Sequence, residues 1–419
     1  MLAYAIGAGR SVDDYSISFA IVTVATTIAV GPIVVALLPT YISVLTRDGR
    51  HAANRLLGDL VPLVGLAVMG LTVIIEAAAP GIIRLVANGN FSQAHLMIAT
   101  DLLRISLLLI PIRAANQIVS ALLNSEHMFA LPVTSSAIPS LVAIASLIAL
   151  SGSIGVFSLV DGLVLGESLQ LAVLLVLAAP RIGAIPLRRS QFGPELLTIL
   201  GQYYPSLAGT SIAAFNPLIN RTIASGLRAG SIAHLLYAER ITSGIVQIAG
   251  VAFSAVLLPH FSRMVAAQEY AALRRSMKVY AVMIFAVCAV PLLIFELFAR
   301  DFAGFLLQRG SFHAADTIAV GGVLQFMILQ VPFEIAGTMS ARIVAALRVT
   351  PILTVGAILN VILNFVLAVF FSRHWQLQGI AAATFVVMAW SWTYLFISSR
   401  LVIRRRERAM PLPASLAGR

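Results

Sequence analysis

Eleven apolar stretches follow one another through nearly the whole sequence. A helix needs about 20 apolar residues to cross the roughly 30 Å hydrocarbon core of a bilayer. The predicted spans are residues 16–42, 58–79, 96–121, 132–150, 157–179, 196–224, 233–257, 278–299, 316–345, 350–371 and 377–400. The loops between them are short. The sequence therefore predicts an all-α polytopic membrane protein with no inserted soluble domain.

The composition supports this class and argues against several others. The chain is 59% hydrophobic and 11% charged, whereas soluble domains carry about 25% charged residues. Its net charge of +11 is interpreted as basic loops on one face of a membrane, so no nucleic-acid partner is expected. Cys288 is the single cysteine, and P-loop, HExxH, GxSxG and zinc-ligand patterns are absent from the sequence. We expect no catalytic residue, metal or cofactor, and a function other than catalysis.

The distribution of basic residues predicts the orientation. Alternate loops carry sixteen Lys and Arg residues on one side and six on the other. By the positive-inside rule, the richer side is cytoplasmic. The C-terminus is then cytoplasmic and residues 1–15 are periplasmic. An external N-terminus without a leader further suggests that one helix is missing upstream.

The sequence repeats itself at an offset of about 220 residues. The matched features are Leu38-Pro39 with Leu258-Pro259, Glu76 with Glu296, Phe91 with Phe312, Pro111-Ile112-Arg113 with Pro332-Phe333-Glu334, and Pro132 with Pro351. Because six spans separate matched helices, both copies have the same orientation in the membrane. Parallel repeats of this kind build two-lobe transporters. We expect an N-lobe at 1–190, a C-lobe at 191–403, a basic cytoplasmic tail at 404–419, and a central cavity.

A polar stripe in the third span indicates a cavity-lining face. Ser106, Arg113, Gln117, Ser120 and Asn124 recur at helical spacing. Polar side chains on a membrane helix turn towards a neighbouring helix or a water-filled space because exposure to lipid is costly. Arg113, Gln117 and Asn124 are therefore candidate substrate-binding residues.

Glu334 stands at the repeat position of Arg113. Two arrangements satisfy opposite charges at equivalent positions. Arg113 and Glu334 could meet as an interlobe pair, or each could have a separate partner within its own lobe. The sequence leaves both open.

Arg240 is the most conspicuous charge in the spans. It lies near the start of the span 233–257, directly after Glu239. Its planar, permanently charged guanidinium is suited to phosphate. The competing interpretation is a salt bridge to another span that only holds the helices together.

The residues around Arg240 resemble a known family. The run from Gly230 through Leu236-Tyr237-Ala238-Glu239-Arg240 to Pro259 resembles the MurJ/MviN family of the multidrug and oligosaccharidyl-lipid exporters. Further matches in register are Gly7-Ala8-Gly9, Asp13, Leu102–Ile105, Leu123-Asn124, Phe129, Pro132, Arg309–Phe312, Asp316 and Thr350-Pro351. The similarity covers nearly the whole chain.

The resemblance implies a bacterial inner-membrane flippase for an undecaprenyl-pyrophosphate-linked saccharide such as the peptidoglycan precursor lipid II. Its partners would be that lipid-linked substrate, membrane lipid and cell-envelope synthesis proteins. Family members have fourteen helices, and the eleven spans correspond to the second through twelfth. Thr26 and Thr27 align with paired family arginines, so Arg240 is the one cavity arginine carried over.

Two alternatives come from other functional classes. A multidrug or amphiphile exporter of the related branch would use a carboxylate cluster, for which Asp161 and Glu167 are the candidates. A non-transporting membrane scaffold would be consistent with the family helices that have no counterpart among the eleven spans, namely the first and the last two.

Overall fold

The structure is a computed structural model that describes residues 1–87, 91–182, 194–347, 349 and 351–409. Every regular element in these ranges is a helix. The helices are α1 Leu2–Ile6, α2 Arg10–Val86, α3 Gln93–Leu107, α4 Leu109–Ser125, α5 Ala130–Ser135, α6 Ala137–Ile154, α7 Phe157–Ile182, α8 Pro194–Ser225, α9 Ser231–Ala266, α10 Tyr270–Leu307, α11 Ala314–Leu329, α12 Val331–Ala346 and α13 Pro351–Ala409.

The predicted spans lie on these helices. Eight segments among the described residues are long and apolar enough to cross a membrane. They are Arg10–Gly31, Leu37–Val86, Gln93–Ser125, Ala130–Ile154, Phe157–Pro180, Tyr270–Leu307, Ala314–Ala346 and Pro351–Arg408. The last contains two predicted spans, which meet where Gln376 leaves the helical conformation. The other two predicted spans, 196–224 and 233–257, lie within α8 and α9.

Two spans are each divided at the same repeat position. The span 96–121 is interrupted between α3 and α4, and the span 316–345 between α11 and α12. Pro111 and Pro332 lie just inside the second helix of each pair. Proline has no N–H and its ring collides with the carbonyl four residues earlier, which interrupts a helix. The matched prolines therefore give both copies the same interruption.

The first helices of the two copies also correspond. In the first copy, α2 runs through a break at Gly49, whose φ of 79° favours glycine. In the second copy, the chain between α9 and α10 turns at Gln268, which also has a positive φ of 58°. The element order α2, α3, α4 thus repeats as α9 with α10, α11, α12.

The chain forms two compact units. The N-terminal unit contains Met1–Ala233 and Leu307–His313, and the C-terminal unit contains His234–Leu306 and Ala314–Arg419. This division falls where the second repeat copy begins. The boundary expected at residue 190 lies outside the described residues, as do residues 410–419 of the expected tail.

Each unit has its own apolar core. In the N-terminal unit the core joins α2, α4, α7 and α8 through residues that include Tyr41, Leu57, Leu122, Leu174 and Leu196. Because α8 contributes to this core, it belongs with the first unit, although the sequence analysis assigned it to the C-lobe. In the C-terminal unit the core joins α9, α10, α12 and α13 through residues that include Phe261, Leu273, Met277, Ile335 and Ile403.

The segment Leu307–His313 packs on the start of the chain within the N-terminal unit. The Ser311 amide donates to the Tyr4 carbonyl at 3.0 Å. Gly310 lies directly against that same carbonyl, and Gly7 lies against the Ser311 carbonyl. Both glycines have positive φ, so a side chain at either position would strain the backbone. It would also collide with the facing segment, at Ser311 for Gly7 and at Tyr4 for Gly310.

Candidate functional site

Arg113 is held by a carboxylate in its own unit. Its Nε donates to Glu167 Oε1 on α7 at 2.9 Å, and the two side chains are 22% and 13% exposed. Its guanidinium carbon also lies 5.4 Å from the centre of the Phe19 ring on α2. Arg113 therefore has an acidic partner within its own unit. A pairing of Arg113 with Glu334 remains a prediction.

Asn116 completes this cluster, and the sequence analysis missed it. Its Nδ2 donates to Glu167 Oε2 at 3.0 Å and to the Glu167 carbonyl at 3.1 Å. Asn116 is buried, one turn from Arg113 on α4. Residues three apart on a helix share a face, and an asparagine three residues after an arginine in an apolar span was the available signal. Both carboxylate oxygens of Glu167 are thus occupied.

The predicted polar stripe is only partly continuous. Ser106 is fully buried on α3, beyond the break at Leu108, whereas Arg113, Gln117 and Asn124 share α4. Gln117 is exposed and Asn124 is half-buried. At 1.5 Å per residue, Asn124 lies about 16 Å along the axis from Arg113. The structure therefore groups Arg113 with Asn116 and Glu167, not with Asn124.

Thr26 and Thr27 are half-buried on α2. Thr27 donates its hydroxyl to the Thr23 carbonyl one turn earlier at 2.8 Å. The Thr27 hydroxyl is thereby satisfied on its own helix backbone. Thr26 and Thr27 supply no positive charge at the place where the family resemblance would put arginines.

Arg240 is exposed on α9, and the described residues provide no hydrogen bond or ion pair to its side chain. The first two turns of α9 are largely buried, including Ile232, Leu235 and Ala238. The neighbouring Glu239 is half-buried and has its own contacts. Arg240 is thus an exposed cation on an apolar helix, and the phosphate interpretation stays a prediction.

Glu334 lies in the first turn of α12 and is half-buried. Its backbone N–H donates to the Gln330 carbonyl at 2.9 Å. The neighbouring Phe333 belongs to an aromatic cluster in which the Phe285 and Trp392 rings lie 5.0 and 5.8 Å from the Phe333 ring. Glu334 therefore borders an apolar part of the C-terminal unit.

Asp13 anchors the start of α9 inside the N-terminal unit. Its carboxylate accepts from the Gly230 and Ala233 amides at 2.6 and 2.8 Å and is buried. A carboxylate at a helix N-terminus satisfies unpaired N–H groups and interacts favourably with the helix dipole. The helix that carries Arg240 therefore begins at a fixed point. The described residues contain no cluster of His, Cys, Asp and Glu suited to a metal ion.

Solved structures show the same fold. The chain superposes on a structure titled "Lipid II flippase MurJ, inward closed conformation" with a TM-score of 0.78 and 19% identity, over 96% of this chain and 86% of the other. It superposes on an inward-facing multidrug resistance MATE family transporter with a TM-score of 0.84 and 14% identity, over 98% and 94% of the two chains. At these identities the likeness concerns the fold.

Sequence comparison extends to the family level. A curated relative, the lipid II flippase MurJ of Burkholderia cenocepacia, is 26% identical over 272 residues, which are 63% of this chain and 52% of the relative. The chain therefore spans about half the length of that relative. The profile of the lipid II flippase MurJ family matches residues 2–410. The chain belongs to the lipid II flippase MurJ family.

Proposed function

We propose that this protein is a bacterial inner-membrane flippase that translocates an undecaprenyl-pyrophosphate-linked saccharide, lipid II or a related cell-envelope precursor, by alternating access. Membership of the MurJ family over residues 2–410 supports a transporter of this class. The two compact helical units support a multi-pass membrane protein built from a repeat.

The observation that carries the proposal is Arg240. It is an exposed arginine on a long apolar helix, with no protein partner among the described residues. Such a charge is expensive in a membrane unless it faces water or a ligand. A guanidinium presents two parallel N–H donors to a phosphate, which matches the pyrophosphate of the substrate class.

The other candidate residues take secondary roles in this proposal. Gln117, which is exposed, and Asn124, which is half-buried, would donate to saccharide or phosphate oxygens. Arg113 keeps terminal N–H groups for the substrate, but Glu167 already balances its charge. Most of the net attraction for an anionic head group would therefore come from Arg240.

The direct test is complementation of a strain depleted of its own lipid II flippase. The chain should be expressed alone and with a first helix added from a curated relative, with that relative as the positive control. Growth would support lipid II transport. If neither well-expressed version restores growth, lipid II is excluded. Proteoliposomes loaded with other undecaprenyl-pyrophosphate sugars then test the wider class.

A multidrug or amphiphile exporter is the second candidate, favoured by the fold shared with a MATE family transporter. That activity would use a protonatable carboxylate, yet both oxygens of Glu167 are engaged by Arg113 and Asn116. Drug susceptibility of a sensitive strain expressing the chain separates the two. If the chain neither restores growth nor changes drug susceptibility, a membrane scaffold that works with cell-envelope synthesis proteins is favoured.

The proposed orientation places the C-terminus in the cytoplasm and residues 1–15 in the periplasm. The positive-inside rule is its basis. Fusions of a cytoplasm-active and a periplasm-active reporter after residue 409 test it directly. Activity of the periplasmic reporter at that position would reverse the orientation.

A further inference from the structure

Each unit contains a carboxylate–imidazole bond between two of its helices. In the N-terminal unit, His95 Nδ1 on α3 lies 2.7 Å from Asp14 Oδ2 on α2. In the C-terminal unit, His234 Nε2 on α9 lies 2.9 Å from Asp316 Oδ1 on α11. Both bonds are partly shielded from solvent: the Asp14 and His95 side chains are 0% and 28% exposed, and those of His234 and Asp316 are 14% and 20% exposed.

The two bonds occupy the same place in the repeat, with acid and base exchanged. Asp14 and His234 lie 220 residues apart, and His95 and Asp316 lie 221 apart. These are the offsets that align Glu76 with Glu296 and Pro111 with Pro332. In residue types the two positions look like mismatches. As a contact between two helices, they are the same feature in both copies.

The shielding makes each bond costly to break. A buried carboxylate left without a donor loses much of its solvation without compensation. Two ionised carboxylates facing each other would have no donor between them and would repel each other. Two imidazoles would give up the charge-assisted bond to a carboxylate. Either order of acid and base meets the requirement, which explains how the copies differ in residues and agree in contact.

The surroundings of the two bonds differ in one respect. In the N-terminal unit, Ser18 Oγ also lies 2.7 Å from the Ala99 carbonyl, so a second polar contact joins α2 to α3. Its repeat position in the C-terminal unit is Ala238, which has no side-chain donor. The side chain at position 238 therefore cannot form the equivalent of the Ser18–Ala99 contact.

His234 is also close to Arg240 on α9. Six residues correspond to about 9 Å along a helix axis. A bond at His234 fixes the rotation of α9 about its axis, and this sets the direction in which Arg240 projects. In the N-terminal unit, Ala20 stands at the repeat position of Arg240, so the Asp14–His95 bond has no such charge to orient.

We propose that the two units require an exchangeable carboxylate–imidazole contact at this repeat position, and that His234 and Asp316 act through it as positioning residues for Arg240. The positioning role rests on the proposed function. The exchangeability does not, because it is a property of folding.

The experiment is an exchange series in each unit. In the C-terminal unit the variants are His234→Asp, Asp316→His and the double exchange; in the N-terminal unit they are Asp14→His, His95→Asp and the double exchange. Asp301→Asn, at an exposed acid, controls for the loss of one charge. Thermal unfolding of the purified full chain in detergent is measured for all of them. Transport of an undecaprenyl-pyrophosphate saccharide into proteoliposomes is measured below the unfolding temperature.

Each single exchange should lower the unfolding temperature by roughly 3–6 °C, and each double exchange should recover most of that loss. Transport should fall about tenfold in His234→Asp and Asp316→His and recover in their double exchange. It should change little in the N-terminal variants. Asp301→Asn should match the unmodified chain in both measurements.

Double exchanges as unstable as the single ones would overturn the equivalence of the two contacts. Unchanged transport in His234→Asp, together with a lower unfolding temperature, would overturn the positioning role. Absence of transport by the unmodified chain would count against the proposed function, while the unfolding temperatures would still decide whether the contact is exchangeable.

Discussion

In the N-terminal unit, Ala20 occupies the repeat position of Arg240, and the arginine on α4, Arg113, is bonded to Glu167. In the C-terminal unit, Arg240 is exposed, and Glu334 occupies the repeat position of Arg113. The two copies therefore share a helix order but differ in charge: one holds an ion pair, and the other has an exposed arginine. Under the proposed function, the contact with an anionic head group would come mainly from the second copy.

The ends of α4 and α12 show a second difference. In the N-terminal unit, Arg50 donates to Glu126 at 2.9 Å, and Arg50 is 48% exposed. The repeat positions in the C-terminal unit are Tyr270 and Leu347, which both lie in the apolar core of that unit. The first copy therefore has a solvent-accessible ion pair at these two positions, and the second copy has buried side chains of the apolar core. The contributions of the two pairs of residues to the free energy of unfolding should differ severalfold.

The largest effect is expected at Arg240. Arg240→Ala should reduce transport in proteoliposomes by roughly 100-fold or more, since a bidentate, charge-assisted contact to phosphate is lost. Arg240→Lys should retain part of it, because one charge remains without the planar fork. The unfolding temperature should stay unchanged for this exposed side chain. Arg228→Ala, at an exposed arginine just before α9, is the matched control. Full transport by Arg240→Ala would make Arg240 a packing residue and remove the contrast between the units.

The next effect is expected at the Arg113–Glu167 pair. Arg113→Leu or Glu167→Leu alone should lower the free energy of unfolding by about 3–5 kcal/mol, because each leaves a shielded charge without its partner. The double substitution should recover most of this loss. Denaturant titration of the purified protein measures the three variants. Equal losses in the single and double variants would show that the destabilisation does not come from leaving one charge without its partner.

A smaller loss is expected at Tyr270. Tyr270→Ala should lower the free energy of unfolding by about 3 kcal/mol, since it removes a large side chain that is 8% exposed and leaves a cavity in the core. The same titration measures it, with Tyr270→Phe as a control that keeps the ring. An unchanged free energy of unfolding in Tyr270→Ala would contradict a role for Tyr270 in the apolar core.

The smallest effect is expected at Arg50. Arg50→Gln should cost about 0.2–1 kcal/mol of unfolding free energy, because the pair is exposed and screened by water and salt. Raising the ionic strength should reduce the difference between Arg50→Gln and the unmodified chain. If Arg50→Gln lost as much unfolding free energy as Tyr270→Ala, the two repeat positions would contribute equally to stability.

Much of the fold follows from the sequence. The predicted spans lie on helices because length and hydropathy are local properties of a segment. The repeat was visible through residues whose backbone or packing role is the same in both copies, such as Pro111 and Pro332. The division of the span 96–121 into α3 and α4 was not predicted, although Pro111 was its signal.

The candidate site was predicted less completely. Arg240 stands out in the sequence as a charge in an apolar segment, and the structure exposes it on α9. Its role in binding stays a prediction. The polar stripe was traced through Ser106, which is buried beyond the α3–α4 break. Asn116 was not predicted, because an uncharged side chain in a membrane helix requires a partner less strongly than an arginine does.

The sequence by itself determined the helical spans, the repeat and the charges that a membrane protein must accommodate. Only the tertiary structure decided which groups satisfy one another. Glu167 lies 54 residues from Arg113, and no local spacing rule connects residues so far apart. The Asp14–His95 and His234–Asp316 bonds were hidden for a related reason. A contact between helices is preserved when its two partners exchange places, although each position, examined alone, then appears to have lost its match.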